Sequence, residues 1–116
     1  MVRRLDVLLV NGDRAVGEPM AEVLRERHEV RVARGLRAAV AELLWRPPDA
    51  VVCDLDLTPY SGDALLAMVA RELPSVRRIL YTGPLPAGTS FAHVAHVTLL
   101  RQATLDELLA AIAGED

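Results

Sequence analysis

The stretch PDAVVCDLDLTPYSG, residues 48–62, decides the fold. It begins with a short apolar and β-branched run, 50–53, which the carboxylate of Asp54 follows directly. A second carboxylate, Asp56, comes two residues later, and the turn-forming residues 59–62 end the stretch. This pattern predicts a buried strand with an acid at its carboxyl end, which is the end where open α/β sheets bind their ligands.

Apolar segments typical of strands and helices alternate on both sides of this stretch. Four further strands are predicted at 5–10, 29–33, 76–82 and 95–100. Helices are predicted at 16–27, 36–44, 61–73 and 105–113. Such alternation implies right-handed crossovers and a parallel five-stranded sheet in the order 2-1-3-4-5, with helices on both faces. We therefore expect one three-layer α/β domain over residues 1–116.

Prolines and capping residues set several boundaries. Pro19 is tolerated in the first turn of a helix, so the regular helix is expected to begin near Val16. Thr104 and Glu107 form a capping box that opens the last helix. Residues 83–90 contain two prolines and two glycines, so a loop or a single turn is expected where a helix would otherwise join the fourth and fifth strands.

Composition limits the class of function. The net charge of −3 argues against a general nucleic-acid binder, and no apolar run approaches the roughly 18 residues of a membrane span. The only cysteine, Cys53, is expected to be a buried strand residue of a soluble protein in a reducing cytoplasm. Trp45 is expected to be a partly buried packing residue. All 13 basic residues of the Lys and Arg class are arginines.

Four segments resemble the receiver domains of bacterial two-component response regulators. They are VLLVNGD (7–13), PDAVVCDLDLTPYSGDALL (48–66), RRILYTG (77–83) and LLRQATLDELLAAI (99–112). The resemblance implies a flavodoxin-like (βα)5 fold in which Asp54 accepts a phosphoryl group from a histidine kinase with the help of Mg²⁺. It also implies that the backbone carbonyl of Asp56 binds the metal, and that Thr82 and Arg101 contact the phosphoryl group.

Several positions depart from the pattern of this family. Its paired acids after the first strand fall on Asn11 and Gly12, which leaves Asp13 to act as a metal ligand through water or to cap the following helix. Its phosphate-pairing lysine falls on Arg101, and its aromatic switch position falls on Thr98. We therefore expect weak or absent Mg²⁺ binding and favour a pseudo-receiver, a non-enzymatic domain whose partner is a histidine kinase or a downstream signalling protein.

Other interpretations stay open. A conventional switch would be phosphorylated at Asp54 with Asp13 and Asp56 at the metal. The DLDLT segment also matches the DxDxT signature of haloacid-dehalogenase-type phosphohydrolases, with Asp54 as the nucleophile and Asp56 as the general acid. The spacing of His93 and His96 suggests a metal site. A homodimer is compatible with the pattern, whereas direct contact with nucleic acid or a membrane is not expected.

Overall fold

The computed structural model describes residues 3–57 and 59–115, which contain five parallel strands and four helices that alternate except between the fourth and fifth strands. The strands are β1 (Asp6–Val10), β2 (Glu29–Ala33), β3 (Ala50–Asp54), β4 (Arg77–Thr82) and β5 (Val97–Leu100). The helices are α1 (Arg14–Leu24), α2 (Leu36–Trp45), α3 (Gly62–Glu72) and α4 (Leu105–Ala113). The strand order β2-β1-β3-β4-β5 confirms the predicted topology. None of the helices in the described ranges has the length and apolar character needed to span a membrane.

Alternate residues of the sheet contribute to two hydrophobic layers. One layer packs against α2 and α3, and its largest fully buried members are Leu8, Leu43, Leu65, Leu66 and Leu80. The other packs against α1 and α4 around Leu9, Leu24, Ile79 and Ile112. Strand β3 is buried along its whole length because helices cover both faces of the sheet at its centre. The sheet therefore carries Asp54 to its carboxyl edge on a fully covered strand.

Helix α1 begins two residues earlier than the sequence pattern suggested. The carboxylate of Asp13 accepts a hydrogen bond of 2.9 Å from the backbone N–H of Ala15, which makes Asp13 the N-cap and Arg14 the first helical residue. The expectation that the helix starts near Val16 is therefore wrong. Pro19 lies inside the helix instead of in its first turn, and it supplies no N–H to the carbonyl four residues earlier. The side-chain cap determines this helix start, and the proline is tolerated within the helix.

Helix α4 confirms the predicted capping box. The Thr104 hydroxyl accepts a hydrogen bond of 3.1 Å from the backbone N–H of Glu107, and the Glu107 carboxylate accepts one of 3.3 Å from the N–H of Thr104. At the other end Gly114 adopts the left-handed conformation, with φ of 78°. Both ends of α4 are thus fixed by local sequence.

A loop with one helical turn joins β4 and β5, as the sequence predicted. The turn lies at 91–95, where the N–H groups of Val94 and Ala95 donate to the carbonyl of Phe91 at 3.0 and 2.9 Å. The Phe91 side chain is half-buried and packs on the core. The guanidinium of Arg78 donates to the Val94 carbonyl at 2.8 Å and so ties the turn to β4. All of residues 83–96 are described, and they contain no α-helix.

Of the two predictions made from composition for single side chains, the one for Cys53 is confirmed and the one for Trp45 is wrong. Cys53 is fully buried, as expected, and burial raises the pKa of its thiol far above the ordinary value. The expectation for Trp45 is wrong, because this side chain is 71% exposed at the end of α2. Its ring lies against two guanidinium groups, Arg46 at 5.1 Å and Arg31 at 6.0 Å from the ring centroid. Cation–π contacts at the surface therefore take the place of core packing.

Two histidines precede the two edge strands and accept backbone hydrogen bonds. Nδ1 of His28, just before β2, accepts from the N–H of Leu5 at 3.1 Å. Nδ1 of His96, just before β5, accepts from the N–H of Arg78 at 3.0 Å. An imidazole nitrogen can accept only while it is unprotonated, so both contacts require the neutral ring. Desolvation is the main cause that lowers the pKa of each histidine below its ordinary value.

Acidification is expected to destabilise the protein through His28. Its folded pKa is lower than its unfolded pKa of about 6.5, so the unfolded chain binds more protons between these two values. The free energy of unfolding contributed by neutral His28 is complete above about pH 6.5 and is lost as the pH falls through the folded pKa. Urea unfolding between about pH 7 and 5 should show this loss, and His28→Asn, which keeps an acceptor but does not titrate there, should reduce it.

The exposed His93 provides the matched control for this experiment. His93→Asn makes the same replacement without touching a backbone contact of the sheet, so the loss of stability seen in the wild-type protein should remain. An equal reduction in both variants would contradict the role given to His28.

Candidate functional site

Asp54 lies at the carboxyl edge of the sheet and is almost completely buried. It is the last residue of β3 and is 4% exposed. Its Oδ1 accepts a hydrogen bond of 3.0 Å from the backbone N–H of Asp56. The next residue of the chain, Leu55, donates its N–H to the carbonyl of Tyr81 at 2.9 Å, so the strand end is tied to β4. The backbone therefore fixes the position of this carboxylate.

The guanidinium of Arg101 binds the Asp54 carboxylate from the opposite side of the edge. Nη2 of Arg101 lies 3.1 Å from Oδ1 and 3.3 Å from Oδ2 of Asp54, and 3.3 Å from Oδ2 of Asp56. The Asp54 carboxylate beside it raises the pKa of Arg101, with Asp56 as a smaller cause. One cationic nitrogen is therefore placed between two carboxylates, one buried and one on the surface.

The backbone of Arg101 is also held. It directly follows β5, and its carbonyl accepts a hydrogen bond of 2.9 Å from the hydroxyl of Tyr81. Sequence reasoning missed this role of Tyr81. The available signal was its place next to Thr82 at the end of a strand, since both residues must then lie at the same sheet edge as Asp54.

The other residues predicted for the site also follow strand ends at this edge, but not all of their side chains are free to take part. Thr82 ends β4 beside Asp54 and is buried, with 3% exposure. Asp13 stands after β1, but its carboxylate is engaged as the cap of α1. The side chain of Asn11 is buried and accepts from the N–H of Asp13 at 2.9 Å. Thr58 lies outside the described residues.

These residues do not fit the Mg²⁺ site that the resemblance implies. Mg²⁺ needs several oxygen ligands in near-octahedral geometry. Gly12 has no side chain to offer, Asp13 is used as a cap, and the Arg101 guanidinium already lies between Asp54 and Asp56. Within residues 3–57 and 59–115, no three His, Cys, Asp or Glu side chains are grouped so that they could hold a metal ion.

Comparison with solved structures identifies the fold. The chain matches a response regulator receiver domain protein from Methanospirillum hungatei with a TM-score of 0.87 and 22% identity, over 97% of this chain and 93% of that one. It matches the signal receiver domain of an HD domain-containing protein from Pseudomonas fluorescens with a TM-score of 0.85 and 25% identity, over 97% and 94%. The chain has the fold of response-regulator receiver domains.

A third similar structure is that of a response regulator with a modified aspartic acid. A response regulator from Burkholderia pseudomallei, solved with a phosphorylated aspartic acid, a calcium ion and citrate, matches with a TM-score of 0.84 and 23% identity. The match covers 92% of this chain and 65% of that one. No protein-family model matches the sequence of this chain, and no curated protein does. The receiver fold is therefore recognised from structure, at sequence identities of 22–25%.

The start of α3 lies very close to the end of β3, and sequence reasoning also missed this contact. Gly62, the first residue of α3, donates its N–H to the carbonyl of Leu55 at 2.8 Å. A Cβ atom at this position would lie 2.1 Å from the carbonyl oxygen of Asp54. Only glycine allows α3 to begin this close to the end of β3. The sequence showed Gly62 as a turn residue, and turn patterns do not reveal such a contact.

Two of the open alternatives, the histidine metal site and the phosphohydrolase site, gain no support from the geometry of the described residues. His96 directs Nδ1 to a backbone N–H, and no described acidic or histidine cluster accompanies His93. For the phosphohydrolase alternative, Asp56 would be the general acid, but its carboxylate is in contact with the Arg101 guanidinium. Oδ2 of Asp56 is thereby already engaged with a cationic donor. Neither geometry favours these two sites.

Proposed function

We propose that the chain is a signalling receiver domain that acts by binding a protein partner, with phosphorylation at Asp54 impaired or absent. The observation that carries the proposal is the contact of the Arg101 guanidinium with both oxygens of Asp54. A phosphoryl group would have to approach a carboxylate that is buried and whose negative charge is already paired with the Arg101 guanidinium. The missing acid at Gly12 and the capping role of Asp13 support the same conclusion, because little is left to hold Mg²⁺.

The proposed partner surface is the segment between the ends of β4 and β5, residues 83–100. A shallow groove of about 190 Å³ lies there, lined in part by Leu85, Phe91 and Thr98. Thr98 is exposed on the edge strand, where the family pattern has an aromatic residue. A histidine kinase or a downstream signalling protein in the cytoplasm would contact this surface. The proposal requires no catalytic activity of the chain itself.

Beryllofluoride with Mg²⁺ provides the test, because this complex mimics an aspartyl phosphate. We expect the amide signals of Asp54, Thr82 and Arg101 to stay unchanged in a titration followed by NMR, since the metal pocket is incomplete. Signals of residues 83–100 should stay unchanged as well. The Asp54→Asn variant is the control, and it separates shifts at the acceptor from non-specific effects of fluoride and metal.

Saturable shifts at these amides in the wild-type protein, lost in Asp54→Asn, would contradict the proposal. They would instead support a conventional switch phosphorylated at Asp54. Shifts that spread from Asp54 to residues 83–100 would further show that the proposed partner surface responds to the acceptor.

A further inference from the structure

The cation of this site is part of the chain itself. Nη2 of Arg101 makes contacts of 3.1 to 3.3 Å with three carboxylate oxygens, two of Asp54 and one of Asp56. A position surrounded by oxygens of two acids is the kind of position that a hard divalent cation takes in oxygen-rich sites. In this protein a guanidinium nitrogen fills it.

We propose that Arg101 is the built-in counter-ion of the site and excludes divalent cations from the space between Asp54 and Asp56. The inference rests on the proposed function, since it gives the physical reason why Mg²⁺-dependent chemistry is impaired. It adds a specific claim about one residue. Metal binding is prevented by the presence of Arg101 as well as by the acids that are absent.

Burial makes this ion pair specific for Asp54. The Asp54 side chain is 5% exposed, whereas that of Asp56 is 80% exposed and well solvated. A buried carboxylate requires a partner charge, because desolvation without one is expensive. Asp54 therefore depends on the guanidinium, and Asp56 mainly helps to orient it. A divalent cation at the same oxygens would lie within a few ångströms of a fixed positive charge and be repelled.

A hydrogen bond to its backbone holds Arg101 in this place. The hydroxyl of Tyr81 donates to its backbone carbonyl at 2.9 Å, which fixes where the side chain starts. Gly83 lies beside the guanidinium, where a Cβ atom would be in ordinary van der Waals contact with Nη1, at 3.7 Å. Arginine is also permanently charged, and a single nitrogen of its guanidinium, Nη2, makes all the contacts with the two carboxylates. A lysine side chain ends in an ammonium one atom closer to the backbone than Nη2, so it extends less far toward the two acids.

Removing the guanidinium should open the position to a metal ion. We expect Arg101→Gln to bind Mn²⁺ at least about tenfold more tightly than the wild-type protein, since two carboxylates then lose their internal cation. The readout is paramagnetic broadening of the amide signals of Leu55 and Asp56 in a Mn²⁺ titration of the whole chain. The matched control is Arg71→Gln, which removes an equal charge from an exposed ion pair with Glu72 on α3.

A second variant covers the case in which Arg101→Gln does not fold. Arg101→Lys keeps a positive charge for Asp54, but its shorter side chain holds the ammonium back from the position of Nη2 between the two carboxylates, so Mn²⁺ binding should also strengthen. Wild-type affinity in both variants, or broadening of Asp56 by Mn²⁺ in the wild-type protein with Arg101 present, would overturn the inference. A gain of affinity in Arg71→Gln equal to that in the Arg101 variants would overturn it too.

The outcome is separable from that of the proposed function. A wild-type protein that excludes Mn²⁺ but still shows saturable, Asp54-dependent shifts with beryllofluoride would contradict the proposed function and leave the role of Arg101 intact. A wild-type protein that binds Mn²⁺ yet does not respond to beryllofluoride would do the reverse.

Discussion

Gly62→Ala is expected to lower the free energy of unfolding by more than about 3 kcal/mol, or to prevent folding. The added Cβ would lie 2.1 Å from the carbonyl oxygen of Asp54 and 2.9 Å from both its carbonyl carbon and Sγ of Cys53. These atoms belong to the central strand β3, which is paired with β1 on one side and β4 on the other. A backbone held by two neighbouring strands cannot move without breaking ladder hydrogen bonds, so the clash cannot be relieved locally.

A control for this prediction is Gly35→Ala, at the N-cap of α2, where no atom lies within 4 Å of the added Cβ. It should cost about 1 kcal/mol or less, because alanine is a poorer N-cap than glycine but meets no steric obstacle. Urea unfolding followed by circular dichroism would measure both variants. Similar, small losses of stability would show that α3 can begin farther from β3 than the structure places it.

The parts of the fold that follow from local sequence were predictable. The alternation of apolar runs gave the strand order, and the acid after 50–53 located the end of the central strand. Thr104 and Glu107 lie three residues apart, so their mutual capping is encoded locally. The two prolines and two glycines of 83–90 indicated correctly that no helix forms there. The capping box and the loop depend on near neighbours in the chain, whereas the strand order follows from the general rule for alternating strands and helices.

Most of the features that were missed depend on contacts between distant parts of the chain. Gly62 is constrained by the end of β3, and Tyr81 by a carbonyl twenty residues later. Trp45 is apolar and aromatic, yet the position of α2 places it at the surface beside two arginines. The start of α1 was missed for a local reason, since Pro19 appeared to determine where the helix begins but a side-chain cap at Asp13, two residues before Ala15, does so. Propensity is a weak guide wherever tertiary contacts decide the outcome.

The candidate site illustrates both cases. The apolar run before Asp54 placed this acid at the carboxyl edge of the sheet, and the resemblance assigned Thr82 and Arg101 to the same site. That the guanidinium would contact both Asp54 and Asp56 was beyond sequence reasoning, since it requires the path of the chain after β5. In the family that the chain resembles, the position of Arg101 holds a lysine that pairs with the phosphate. In the structure the arginine contacts both oxygens of the Asp54 carboxylate.

Arg31 forms the most extensive polar contact of a single side chain with helix α2. Its guanidinium lies 3.2 Å from Oδ1 of Asp6 on β1 and 2.9 Å from Oε1 of Glu42 on α2. It also donates to the carbonyls of Glu42 at 3.2 Å and Arg46 at 2.7 Å. The Glu42 carbonyl also accepts from the backbone N–H of Arg46 at 3.1 Å, whereas the Arg46 carbonyl lies just past the helix end, so Arg31 satisfies a group there that would otherwise depend on water. The side chain is only 14% exposed, which strengthens these contacts.

Arg31→Leu is therefore expected to lower the free energy of unfolding by about 2–4 kcal/mol and to loosen the end of α2. The loss stays below that of a fully buried pair because Arg46 still binds Asp6 at 3.2 Å. Trp45 is the only tryptophan of the chain, so its fluorescence should change in the folded variant as the Arg31 guanidinium leaves its ring.

Arg71→Leu, which breaks an exposed ion pair, is the control for Arg31→Leu and should cost about 0.5 kcal/mol or less. Urea unfolding followed by Trp45 fluorescence would measure both variants. If Arg31→Leu unfolds at the same urea concentration as Arg71→Leu, hydrogen bonds from water replace those of Arg31 at the end of α2 without loss of stability. The guanidinium would then orient Trp45 without stabilising the helix.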